Sequence, residues 1–146
     1  MNAFYEIISC LKETLQNNSI FNNVKFVDFP QNKMMQNPIK NIYAAFEIVK
    51  IQVVNGLFSN FIGENAGAER YGQVADIDVR IKICAPFNIG SLACYDVFAN
   101  ICEVLLKSSG ENFNIQSINS DGIRYDHETS NFVLTCNIKI SCLLSV

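Results

Sequence analysis

Two aspartates one residue apart, Asp76 and Asp78, carry the first spacing in this chain that could do chemistry. Alternate residues of a strand share a face, and two carboxylates there can hold a divalent cation. Arg80 and Lys82 continue the same alternation, so the face reads acid, acid, base, base. That order suits a solvated face or a charged contact between subunits better than a metal centre. The glycine-rich GENAGAERYG lacks the lysine and hydroxyl of a phosphate loop, because Gly67 is followed by Ala68 and Glu69. It also lacks the GxGxxG spacing of a dinucleotide site, and reads as a hairpin tip. His127, the one histidine, sits in the polar stretch YDHETSN, with Asp126 and Glu128 beside it. Acid–base work would need it near a nucleophile or a carboxylate; a polar turn accounts for all three residues.

Six cysteines invite a disulfide framework, but no CxxC pair exists and no export signal precedes them. Cys136 and Cys142 fall on the apolar parity of a strand, and Cys94 and Cys102 on an apolar helix stripe. They read as reduced, buried thiols. No GxSxG or HExxH occurs, and the aromatic residues do not alternate with a basic stripe. No catalytic residue, metal or cofactor is expected, and the chain reads as a non-enzyme.

The elements that must position these residues follow from periodicity. Phe4, Ile7, Ile8, Leu11 and Leu15 recur at helical steps, predicting a helix over Asn2 to about Gln16. A short strand, Val24–Phe29, ends at Pro30, and Gln31–Pro38 reads as a loop. Ile42–Val54 is a long strand candidate in which Ala44, Phe46 and Ile48 share one parity and Val49, Ile51 and Val53 the other. Such a switch implies a bulge or twist. Asn55–Gly72 reads as a long, mobile hairpin connection, a length usually functional or disordered. Val74–Cys84 alternates cleanly, with Ala75, Ile77, Val79, Ile81 and Ile83 on one face. Ser91 opens a helix to about Ser108, with Tyr95, Phe98, Cys102, Leu105 and Leu106 as its expected buried stripe and Gly110 as its stop. Phe113–Ile118 reads as a short strand, Ser120–Gly122 as a turn after which Ile123–Tyr125 can resume pairing, Asp126–Asn131 as a polar turn, and Phe132–Cys142 as a second clean strand. The sum is one α+β domain over 1–146, in the order α-β-β-β-α-β-β. Both helices pack on one face of a mostly antiparallel sheet, and a long β-hairpin loop interrupts it.

Composition agrees with this reading. The chain has 146 residues, 49% apolar and 17% charged, with a net charge of −3. Such a length folds as one domain with a real core, and its apolar content excludes disorder. The charge offers no cationic footprint for nucleic acid. The N-terminus has neither a basic region nor a cleavage site, and no run reaches the roughly 18 apolar residues of a membrane span. A soluble protein of the cytosol is expected.

Two stretches, YGQVADIDVRIKICAPFNIGSLACYDVFANICEVLL and INSDGIRYDHETSNFVLTCNIKISCLLSV, resemble the tail-terminator and tail-completion proteins of tailed phages and phage-tail-like particles. The resembling elements are a strand ending at Ala85–Pro86, the helix Leu92–Leu106, a YD turn at Tyr125–Asp126, and a closing strand. The N-terminal helix and the hairpin at Asn55–Gly72 match as well. The resemblance implies a ring, usually of six copies, at the head-proximal end of the tail. Such a ring caps the tail tube, ends its growth, and touches the sheath or head–tail connector. It implies no catalytic residue, membrane or sequence-specific nucleic acid. A head-to-tail ring needs two different complementary patches on each subunit. The expected interface residues are Leu57, Phe58, Phe61, Ile62, Glu64 and Arg70 in the hairpin, and Asp76, Asp78, Arg80 and Lys82 on the charged stripe. Another tail or neck component, such as a completion or tube protein, is the alternative. A small ligand-binding α+β domain is the alternative from a different class; it would show a deep pocket with convergent polar groups.

Overall fold

Fourteen residues, Ala3–Gln16, form the first helix, α1, with Ile8, Leu11 and Leu15 buried at the expected steps. This computed structural model describes residues 3–28, 41–54, 61–65, 68–108 and 113–145. The expected loop at Gln31–Pro38 and the stop at Gly110 lie outside them. After α1, a single 3₁₀ turn at Ser19–Phe21 is capped by Asn18, whose Oδ1 accepts the Ile20 N–H at 3.1 Å. The strands β1 (Val24–Asp28), β2 (Ile42–Val54), β3 (Phe61–Asn65) and β4 (Ala68–Pro86) follow. Then come helix α2 (Leu92–Ser108) and strands β5 (Asn114–Asp126) and β6 (Asn131–Ser145).

The sheet runs β1-β2-β4-β6-β5, with β3 attached to β4 off that path. Only β1 and β2 are parallel; every other pairing is antiparallel. The class is α+β, as the sequence predicts. The helices cover one face, where Phe46, Ile77, Val79, Ile81, Ile83, Leu134, Ile138 and Ile140 join Leu11, Leu15, Ile101 and Leu105 in one core. The alternation along β4 and β6 places their polar residues on the other face.

The parity switch in β2 is a bulge. Ile48 pairs with Val79 and Lys50 with Asp78, so Val49 is the extra residue. The bulge returns Ile51 and Val53 to the helix-side face, in register with Ile77 and Ala75.

Three expectations are corrected. The connection at Asn55–Gly72 contains strand: Phe61 pairs with Tyr71 and Asn65 with Ala68, so β4 begins six residues before Val74. The expected order is kept, with β3 added inside the hairpin. Second, Ser120–Gly122 is not a turn. β5 runs unbroken for thirteen residues, and the register steps from Ser120–Cys136 to Ile123–Leu134 across an irregularity at Asp121–Gly122. A second irregularity at Gln116 keeps both Ile115 and Ile118 in register with the core residues Ile140 and Ile138. Uneven apolar spacing along β5 hides it from a period-two reading, and the irregularities restore the register.

Third, the stripe that α2 buries is Cys94, Val97, Ile101 and Leu105, whereas Tyr95 and Leu106 are exposed and Phe98 and Cys102 half-buried. The helix carries two adjacent apolar rows, and the sheet can receive only one of them.

Gly122 holds the β5 irregularity at φ +99°, with nothing within 4 Å of where a Cβ would stand. The cost of a side chain there is therefore conformational, not steric. Gly122→Ala is expected to lower stability by about 1–2 kcal/mol, read as a lower denaturation midpoint with an unchanged slope. An unchanged midpoint would refute the assignment.

Candidate interaction surfaces

Three surfaces are built by these elements: the polar sheet face, the hairpin arm, and the end of the sheet beside the start of α2.

The polar face carries Asp76, Asp78, Arg80 and Lys82, all half-buried, in line along β4 as expected. Their cross-strand neighbours were not legible from β4 alone. Asp78 lies between Lys50 on β2 and Lys139 on β6, and Asp76 between Gln52 and Ser141. Arg80 lies between Glu47 and Asn137, with its Nη1 3.8 Å from Glu47 Oε2. Opposite charges placed directly across a ladder stabilise it. Arg80 is therefore answered within the chain by Glu47, although its Nε is buried and donates to nothing among the described residues. Lys50, Gln52, Asp76, Asp78, Gln116 and Lys139 line a shallow depression of about 130 Å³. Two lysines beside Asp78 oppose cation binding there. No cluster of three or more His, Cys, Asp or Glu occurs among the described residues.

The Arg80–Glu47 pair is partly exposed, so its contribution is small. Arg80→Glu, which sets two carboxylates across the ladder, is expected to cost about 1 kcal/mol. Combining it with Glu47→Arg should restore the loss; a double variant no more stable than the single one would show that the pair is not the cause.

The hairpin arm is the second surface. Leu57 and Phe58 lie outside the described residues. Phe61, Ile62 and Glu64 lie on β3, with Ile62 the extra residue between the Phe61–Tyr71 and Gly63–Arg70 pairs. Arg70 lies on β4 before its pairing with β6 begins at Gly72. Residues 68–71 thus extend beyond the end of β6 pairing by four residues, about 13 Å of strand.

The third surface was missed from sequence. At the opposite end of β4, Phe87 is 65% exposed and stacks on Phe132 at 6.1 Å, with Tyr125 edge-on to Phe87 at 6.0 Å. Tyr125 also meets Phe132 at 5.2 Å and His127 at 4.8 Å. Leu92 and Tyr95, in the first turn of α2, are 74% and 50% exposed, and Ile89 between them and Phe87 is exposed as well. Large aromatic side chains held out of the core are the residue types that dominate protein interfaces. The available signal was the doubled apolar row of α2, whose outer row supplies Tyr95.

The lone histidine belongs to this surface. It lies in the β5–β6 turn, where Asp126 Oδ1 accepts the Glu128 N–H at 3.0 Å. The Thr129 hydroxyl, then the turn amides and His127, hold the Asp126 carboxyl below its usual range. Ser130 adopts φ +53° to close the turn. These interactions explain YDHETSN as turn chemistry.

All six cysteines are free thiols, four of them buried. Cys94 seats α2 on the sheet, its Sγ 3.8 Å from both the Ile83 and Phe132 carbonyls, either of which can accept its one S–H. Burial pushes the Cys84 and Cys94 thiols up to about 11 and Cys136 up to about 12. Thiols so shifted are poor nucleophiles near neutral pH.

A groove of about 500 Å³ runs along β1, lined by Gln16, Phe21, Asn22 and Val24 to Val27, and opens widely to solvent. No helix among the described residues is long and apolar enough to cross a membrane. No protein-family model matches the chain, and no curated protein matches it.

Proposed function

We propose that this chain is a structural assembly protein that forms a ring, of six copies in the resembled family, on the head-proximal end of a phage tail or phage-tail-like particle. The ring caps the tail tube, ends its growth, and offers its far side to the sheath or head–tail connector. The protein is made in the bacterial cytoplasm and acts without cofactor or catalysis.

The observation that carries this reading is that a strand arm and an aromatic surface stand at opposite ends of β4. The arm leaves at Gly72 and the aromatic surface begins beyond Pro86, about 45 Å away along the strand. Head-to-tail assembly requires two different complementary patches on each subunit. The resemblance noted from the sequence supplies the particle.

The test is to polymerise the tail tube protein with and without this chain and to measure tube lengths and ends by negative-stain microscopy. Capped tubes of limited length, each with a ring at one end, are expected. Tubes of unchanged length with bare ends would overturn the reading. Deleting residues 61–71, or replacing Phe87 and Tyr95 with serine, should abolish capping.

A further inference from the structure

β2 is paired with β4 along its whole length but with β1 only from Ile42 to Phe46. From Glu47 to Val54 its outer edge meets no other strand among the described residues. Beyond the Val49 bulge, Lys50–Val54 runs as five regular positions. Ile51 and Val53 share the helix-side face with Ile77 and Ala75, yet each is 41% exposed where its neighbours are fully buried. Lys50 and Gln52 are exposed on the other face. The opposite edge of the sheet is different: β5 is rich in Asn and Ser and twice irregular, the features that keep an edge from pairing. One edge is guarded, and the other offers a regular, apolar strand.

We propose that a second copy of this chain covers Lys50–Val54 by pairing that segment antiparallel with itself about a two-fold axis at Gln52. The segment is self-complementary in this arrangement. A two-fold axis normal to the sheet keeps each face on its own side. Ile51 then lies opposite Val53 of the partner subunit, extending the apolar side of the sheet. Gln52 lies opposite Gln52 of the partner subunit on the polar face. Lys50 lies opposite Val54 of the partner subunit, so the two lysines stay about 13 Å apart along the ladder and do not repel strongly. Backbone bonding satisfies the open edge, and the side-chain pattern fixes the register. A foreign strand would have to supply this alternation; the chain already carries it. The contact is isologous and closes at two copies, and so describes the free protein rather than a ring. It needs no other protein and does not depend on the tail reading.

The full-length protein at tens of micromolar, examined by light scattering after size exclusion, is expected to be a dimer. Ile51→Lys with Val53→Lys, at two exposed positions, should convert it to a monomer with unchanged circular dichroism. Gln52→Cys places two thiols across a ladder within disulfide reach. Mild oxidation should then give a dimer whose linkage maps to position 52 in both copies, over the background of the parent protein. A monomeric parent protein, a dimer indifferent to the two lysines, or a position-52 thiol linked elsewhere would each overturn the proposal.

Discussion

Replacing Phe46 with alanine is expected to remove about 3–5 kcal/mol of stability. That is a large share of the roughly 5–15 kcal/mol available to a domain of ordinary stability. Phe46 is among the largest fully buried side chains and pairs with Ile81 at the centre of the sheet. Its ring lies 5.9 Å from Phe26, which in turn meets Phe21 edge-on at 5.6 Å. The three rings tie β2 to β1 and to the turn that follows α1. A cavity there is walled by strands already fixed in register, so it can collapse only in part, and the cost lies at the upper end for such truncations. Urea unfolding followed by circular dichroism should show the midpoint fall sharply with its slope kept. A loss below about 1 kcal/mol would mean that Phe46 is not a centre of the core.

The second large effect is alkaline. The ordinary thiol value of 9.0 rises to about 11 for Cys84 and Cys94 and about 12 for Cys136, in each case chiefly through burial. Each group is therefore neutral in the folded chain over a range where it ionises in the unfolded one. The sign is fixed by that order: stability is fully present below about pH 9 and is lost as pH rises through the folded values. By pH 10.5 the linkage amounts to roughly 2 kcal/mol for a thiol so shifted, and all three act in the same direction. Melting temperature should hold steady from pH 7 to 8.5 and fall steeply above pH 9. The same series on Cys136→Ala should fall less steeply, whatever that variant loses at neutral pH. Equal stability at pH 8 and pH 10.5 would contradict the burial of these thiols. Alkylation followed by intact mass should likewise find Cys84, Cys94 and Cys136 protected until the protein unfolds.

Where alternation is strict the sequence declares the strand, as in Val74–Cys84 and Phe132–Cys142. There a one-residue slip would turn isoleucines to water and lysines to the core. Even the defect in β2 is readable, because Ala44, Phe46 and Ile48 keep one parity and Ile51 and Val53 the other. β5 reads as fragments in the sequence because its apolar residues are few and unevenly spaced, and because Ser-Asp-Gly is turn chemistry. The structure uses the same glycine to absorb an irregularity. α2 failed differently: its elements were right and its face wrong, since two apolar rows compete and tertiary packing alone selects one. The candidate surfaces followed the same division. The charged stripe lies in line on β4 as its alternation predicts, but its cross-strand neighbours Glu47, Lys50 and Lys139 come from other strands, which no reading of β4 can assign. The aromatic surface draws Phe87, Tyr125 and Phe132 from three separate stretches, and only the fold brings them together.

The position of β6 also constrains how the molecule is made. It follows every other element described, yet it lies between β4 and β5 and pairs with both. During synthesis β3 and β4 can form their hairpin as they emerge, since that pairing is local, and β2 can join β4 before β6 has emerged. β5 then emerges with no strand to join, and one edge of β4 stands open until the last strand arrives. The sheet therefore closes as a late, long-range event, the kind that makes folding slow and exposes apolar edges to other nascent chains. A chain ended before β6 would lack the middle of its sheet rather than a margin. Pulse proteolysis of stalled nascent chains should find protection appearing in a single step, when residues 131–145 become free to pair.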